Sequence, residues 1–306
     1  MAITAFRGMK PGTQFIFALF IILVSFLTVF FLSFLVAIPV VGLSGLMNGF
    51  SGANSSDPNT IAVLKYFQVV QSIGLFVLSP FIIAYLYEGD AITYLNLNRK
   101  LSGGSILIGL LAVLMAGPLV GFLGELNEQL HLPGFLAGFE TWMQTMEESA
   151  ARLIDNFMHV ETIWGLLFNI FMIAVIPALG EELLFRGVIQ KIFTNMTRNY
   201  HWGIWISAFM FSALHMQFYG FLPRMLLGGI FGYLLVFSGS IWLPIIAHFI
   251  NNLVGVLALY AENGGNETMD SITHFADSYN NSAVMAVISL VLTTLLLYFL
   301  KKRGRV

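Results

Sequence analysis

The sequence predicts an all-α membrane protein: a polytopic bundle of about eight transmembrane helices, both termini cytoplasmic, with an amphipathic helix on the extracytoplasmic side. Three observations predict it. Of the 306 residues, 58% are hydrophobic and only 10% charged, with mean hydropathy +0.83, whereas soluble domains carry about 25% charged residues. Apolar runs of roughly 18 residues or more recur, long enough to cross the hydrocarbon core as helices. Finally, basic and acidic residues sort onto alternate loops, as positive residues do on the cytoplasmic side of a membrane protein.

Taken in order, the spans fall at about 14–47, 61–87, 105–124, 162–194, 203–217, 224–238, 241–260 and 282–300. The first apolar run, from about 13 to 47, far exceeds the roughly 7–15 residues of a signal-peptide core and reads as a retained helix. Pro80 marks a kink in the second span. Gly228, Gly229 and Gly232 give the sixth a face of small residues suited to close packing. Arg7, Lys10, Arg99, Lys100, Lys191, Arg198 and the basic tail from Lys301 to Arg305 then lie inside. Asp57, Glu125, Glu128, Glu140, Glu147, Glu148, Asp155, Glu161, Glu262, Glu267, Asp270 and Asp277 lie outside.

The longest polar connection, 125–160, carries Phe139, Trp142, Met143, Met146, Leu153, Ile154 and Phe157 at helical spacing, interleaved with acidic residues. That is the amphipathic outer helix; its acidic polar face argues against attraction to anionic lipid. Two readings stand for it: packing over the mouth of the bundle, or a lid that gates substrate. The chain reads as one integral membrane domain, 1–306, with three N-terminal spans (1–124), the outer segment (125–160), a core of motifs (161–260) and an outer loop, last span and basic tail (261–306). No internal repeat or separate soluble domain is visible.

Absence of cysteine excludes disulfides, thiolate catalysis and Cys-ligated zinc, and a net charge of −2 gives no nucleic-acid footprint. The informative residues are the polar ones inside spans. Glu181 and Glu182 sit in the apolar fourth span, where a charge costs a few kcal/mol or more and is a functional-site hypothesis by default. Arg186 follows Glu182 by one helical turn; such a pair can simply neutralise itself. His215 lies near the end of the fifth span, and His248 and Asn252 share one face of the seventh. Each alone has a bland reading as an interhelical hydrogen bond. Depth argues for more. In a hairpin centred near 198, Glu181 lies 17 residues before the centre and His215 17 after, so the two are level at a rise of about 1.5 Å per residue. A buried carboxylate is a candidate general base, a facing imidazole can orient water, and a second imidazole with an amide can supply donors to an oxyanion. No serine, cysteine or lysine nucleophile stands in an obvious motif, which leaves hydrolysis by activated water.

Glu181-Glu182-x-x-x-Arg186, Phe211-x-x-x-His215 and His248-x-x-x-Asn252 together resemble the motif set of the CAAX prenyl protease and bacteriocin-processing family, intramembrane endopeptidases of eight-helix type. The resemblance covers about 162–260. It implies that Glu181 is the base that activates water, assisted by His215, that His248 and Asn252 form the oxyanion hole, and that Glu182 and Arg186 support the site. It implies a metal-free enzyme, with a zinc enzyme using Glu181, His215 and His248 as the alternative. The partners it implies are membrane lipid and a peptide or protein substrate, prenylated or a bacteriocin-like precursor; compact loops and the absence of a targeting extension lead to the expectation of a prokaryotic plasma (inner) membrane. A transporter or proton relay, and a non-catalytic scaffold of the same family, are the competing classes.

Overall fold

The computed structural model describes residues 6–51, 57–160, 162–263 and 283–304. The acidic loop assigned to 261–281 lies mainly outside them, as do Glu161 and Arg305. The described residues form helices α1 (Pro11–Ser51), α2 (Pro58–Glu88), α3 (Gly103–Glu128), α4 (Ala137–Met158), α5 (Ile163–Thr197), α6 (Tyr200–Leu214), α7 (Phe221–Ser238), α8 (Trp242–Asn263) and α9 (Ala283–Arg303), without a strand. All but α4 and α6 are long and apolar enough to cross a membrane. The protein is an all-α polytopic membrane protein.

Helix starts follow local chemistry. The side chains of Asp57, Ser102, Thr162 and Asn199 each accept a backbone N–H in the first turn of α2, α3, α5 and α6. This satisfies donors that an isolated helix end leaves without partners. Gly89 and Gly239 end α2 and α7 at φ of 83° and 71°, a conformation that suits a residue without Cβ. Lipid-facing surface is plain on α1 and α9, where Ile16, Val40, Val284 and Val287 are 60–81% exposed. Such a density of exposed apolar side chains requires an apolar solvent.

Two differences from the sequence-based expectation bear on the site. Helix α3 continues to Glu128, so the first residues assigned to the outer segment complete a span. Helix α6 has 15 residues, roughly 22 Å at 1.5 Å per residue, against a hydrocarbon thickness of about 30 Å. It stops at Leu214 because the chain turns there, with Met216 at φ 55°. His215 is therefore the C-terminal cap of a short helix inside the bundle, rather than a residue within a full span.

Helix α5 is the axis on which the site is built. Leu183, Leu184, Phe185, Val188 and Ile189 lie in a core shared with α1, α2 and α6. Two π-helical stretches, Ile170–Val175 and Phe185–Ile189, bracket the segment Ile176–Leu184 that carries the acidic pair. Pro177 lies in the first turn after the first π stretch, where an amide donor would be lost from an unbroken helix. A Cβ on Gly180 would fall 2.7 Å from the Phe76 side chain and 3.1 Å from its backbone carbon, so α5 and α2 touch at backbone distance here.

Helix α7 docks through the small-residue face that its sequence suggests. A Cβ on Gly229 would meet Trp205 of α6 at 2.9 Å, and one on Gly232 would meet Gln190 of α5 at 2.7 Å. The outer helix α4 is packed unevenly. Its C-terminal residues Phe157 and Met158 are buried against α5 and α8, whereas Phe139, Trp142 and Met146 remain 40–51% exposed. Lys65 of α2 and Asn169 of α5 both donate to the Phe157 carbonyl, at 3.0 and 2.6 Å, and Lys65 also donates to Asn169 at 2.9 Å. Helix α4 is thus tied down at one end.

Candidate active site

Glu181, His215, His248 and Asn252, separated by up to 71 positions in sequence, line one cavity of about 510 Å³. Ile154 and Met158 of α4 form part of its wall. A second cavity, of about 340 Å³, shares Glu181 and His215 but runs toward α2, past Gln68, Gln71 and Phe76. The carboxylate and the imidazole of the expected pair therefore stand where two cavities meet, both bounded by α4.

Glu182 and Arg186 lie behind this wall. Both are fully buried, and the Glu182 carboxylate reaches Arg186 Nε at 3.1 Å. The same carboxylate accepts from Nδ1 of His248 at 2.8 Å, a link that spacing along the chain did not indicate. Arg186 also donates to the Gly228 carbonyl at 3.1 Å and lies over the rings of Phe211 and Phe231, 4.7 and 5.5 Å from their centroids. The buried polar cluster thus joins α5, α7 and α8, with aromatic faces serving the guanidinium where no oxygen reaches it. Gln190, one turn beyond Arg186, donates to the Gly232 carbonyl at 3.3 Å. Arg186 and Gln190 therefore read two carbonyls of α7 that lie one turn apart.

Hydrogen bonding defines what each imidazole offers. His215 donates from Nδ1 to the Phe211 carbonyl at 2.8 Å, which leaves Nε2 as the acceptor of a neutral ring. The Phe211 ring packs edge-on against it with centroids 4.8 Å apart. His248 stacks on Phe231 at 4.9 Å and places Nε2 3.8 Å from Glu181 Oε2, beyond hydrogen-bond reach. Because Nδ1 donates to Glu182, a proton on Nε2 as well defines the imidazolium. Asn252 donates to the Ile173 carbonyl at 3.3 Å and accepts from Asn251 at 3.3 Å. That carbonyl belongs to the first π stretch of α5, so the distorted helix supplies the group that orients the amide.

Among the described residues, no three His, Asp or Glu side chains form a grouping able to hold a metal ion.

Residues absent from the sequence-based set also line the larger cavity: Gln217, Arg224 and Asn251. Arg224 was legible as an exception. It is a cation at the start of the sixth expected span, on the side where acids otherwise gather. Arg152 is another exception, but it pairs with Glu148 at 3.4 Å on the surface of α4.

Residues 163–254 match the family model described as type II CAAX prenyl endopeptidase Rce1-like, and this stretch contains all three motifs. The uncharacterized protein YpbD of Bacillus subtilis (strain 168) is 29% identical over 90 residues, covering 28% of this chain and 43% of YpbD. The chain thus spans less than half of that relative. No solved structure matches.

Proposed function

We propose that this chain is an intramembrane endopeptidase of CAAX-protease type that hydrolyses a peptide bond with water activated by Glu181 and His215. The observation that carries the reading is the convergence of Glu181, His215, His248 and Asn252, from three helices, on one cavity inside the bundle. The family match over 163–254 supports the same reaction class.

The chemistry follows from the donors and acceptors. A water between Glu181 and His215 gives one hydrogen bond to the carboxylate and one to Nε2 of His215, whose tautomer is fixed by Phe211. Glu181 takes a proton as the water oxygen attacks the scissile carbonyl carbon. The developing oxyanion is met by Nε2–H of His248 and Nδ2–H of Asn252, each placed before the charge appears. The tetrahedral intermediate collapses, the C–N bond breaks and the proton held by Glu181 passes to the leaving nitrogen. The products are a carboxylic acid and an amine, with one water consumed. Glu182 acts through His248: by accepting from Nδ1 it holds the ring with Nε2 toward the cavity, and Arg186 holds Glu182.

The protein belongs to a membrane; similarity to a bacterial protein supports a prokaryotic plasma membrane, and the sorting of basic and acidic loops supports cytoplasmic termini, with α6 and the turn after it, which meets Glu147 of α4, completing the eighth crossing. Its substrate is a peptide or protein reached within or at the edge of the bilayer. Comparing peptide termini in cells that express wild-type protein or Glu181→Gln tests the reading. New termini that require Glu181 support it. Identical terminal profiles, together with no cleavage of any peptide by the purified protein, would overturn it.

A further inference from the structure

The larger cavity holds a cation that the hydrolytic mechanism does not use. Arg224 lies in the first turn of α7, lines the same cavity as Glu181, His215, His248 and Asn252, and is only partly buried. Its guanidinium is pinned by one neutral residue: Nη2 donates to Gln217 Oε1 at 2.7 Å and Nη1 to the Gln217 carbonyl at 3.3 Å. It is seated over Gly220, where an added Cβ would lie 3.0 Å from Nη2. Glu147 and Glu181 act on it electrostatically, yet it forms no ion pair among the described residues. Glu147 is engaged elsewhere, accepting the Tyr219 amide at 3.0 Å.

Stability does not account for this placement. A cation in the first turn opposes the helix macrodipole, and a partly buried guanidinium without a carboxylate forgoes the bidentate pairing for which its fork is shaped. Arg186 shows the alternative in the same molecule: a fully buried guanidinium with its carboxylate in place. Five N–H donors are available to Arg224 and two are committed, so a planar anion entering the cavity finds a preorganised partner. A substrate carboxylate beside Glu181 would otherwise be repelled by it.

We propose that Arg224 receives a carboxylate of the substrate and makes this cavity selective for peptides that carry one near the scissile bond. The proposal rests on the endopeptidase reading of the same site. The carboxylate has two sources, a free C-terminus or an Asp or Glu side chain.

The test uses the full chain in detergent micelles and a degenerate decapeptide library prepared in three forms: with free C-terminus, C-terminally amidated, and amidated with Asp and Glu replaced by Asn and Gln. Cleavage is read by mass spectrometry, and binding separately by affinity selection on the Glu181→Gln protein. Wild type should prefer a carboxylate-bearing form by roughly 10- to 100-fold, the scale of a lost charge-assisted hydrogen-bonded pair. Preference for the first form over the second identifies the C-terminus; preference for the second over the third identifies a side chain. In Arg224→Gln the ratio should collapse toward one, and in Arg224→Lys it should survive in part. Folding of each variant is checked by gel filtration and thermal unfolding. Cleavage without carboxylate preference, or a preference that persists in folded Arg224→Gln, would overturn the proposal and leave the endopeptidase reading intact. Carboxylate-selective binding that needs Arg224, without any cleavage, would uphold the proposal and overturn the reaction. Neither binding preference nor cleavage would overturn both.

Discussion

Glu182→Gln and Glu181→Gln differ by one position and by the smallest chemical change available, yet the structure sets them far apart. Glu182 is 0% exposed and holds two charged or polar neighbours at once, Arg186 at 3.1 Å and His248 at 2.8 Å. An amide in its place keeps an oxygen for His248 but leaves the Arg186 charge uncompensated inside the bundle, where Nη1 already lacks a partner among the described residues. Breaking a buried pair from one side costs about 3–5 kcal/mol, and the retained acceptor places Glu182→Gln at the lower end. Glu181 is also buried but opens on the cavity, and His248 Nε2 stands 3.8 Å away, beyond hydrogen-bond reach, so Glu181→Gln orphans no buried guanidinium and should cost less than about 1 kcal/mol. Thermal unfolding in detergent, followed by circular dichroism, should show Glu182→Gln melting roughly 6 °C or more below wild type, with Glu181→Gln within about 2 °C. Cleavage should be abolished in Glu181→Gln. Adding Arg186→Met to Glu182→Gln should recover much of the lost stability, because the orphaned charge is then gone. Equal melting of the two single variants, or no gain from the second substitution, would refute this division of labour.

Four further outcomes are expected. Asn252→Ala should lower kcat by about 10²–10³-fold if the amide meets the oxyanion, with little change in KM, measured on any peptide found to be cleaved. Gly232→Ala should destabilise by about 1–3 kcal/mol through contact with Gln190 and Ile204 at under 3 Å, whereas Gly255→Ala, with nothing within 4 Å, should be neutral or stabilise by up to about 1 kcal/mol; melting temperatures compare the two. Lys65→Met should speed hydrogen exchange in the last turns of α4, since it removes one of the two donors on the Phe157 carbonyl. Purified protein should carry substoichiometric zinc by elemental analysis and cleave in the presence of a chelator; activity lost to the chelator and restored by zinc would require a rearranged site.

Among site residues, the sequence alone determined which could act but not how they are shared. The expense of Glu181 and Glu182 in an apolar span, the four-residue spacings of Glu182 with Arg186 and of His248 with Asn252, and the equal depth of Glu181 and His215 were all visible in one dimension. Spacing along a helix specifies a face, and depth follows from rise per residue, so both survive translation into sequence. The contact of Glu182 with His248 did not, because it depends on how α5 and α8 rotate against each other. Arg224 is a basic residue among acids in the sequence, but nothing in its neighbourhood along the chain shows that it lines a cavity with Glu181.

Composition and apolar run length likewise determined that this is an all-α polytopic membrane protein, because backbone in hydrocarbon must satisfy its own hydrogen bonds and helices do so locally. The glycine face of α7 was legible for the same reason: small residues at helical spacing permit close approach wherever the partner lies. Only the tertiary structure decided that α6 stops at Leu214, that π stretches bracket the acidic pair, and that α4 walls two cavities which meet at Glu181 and His215. These features come from packing between segments distant in sequence, where a broken helix is tolerated because neighbouring helices bury and satisfy it. The residues that carry charge into the membrane announced themselves; the space in which they meet exists only once the bundle closes.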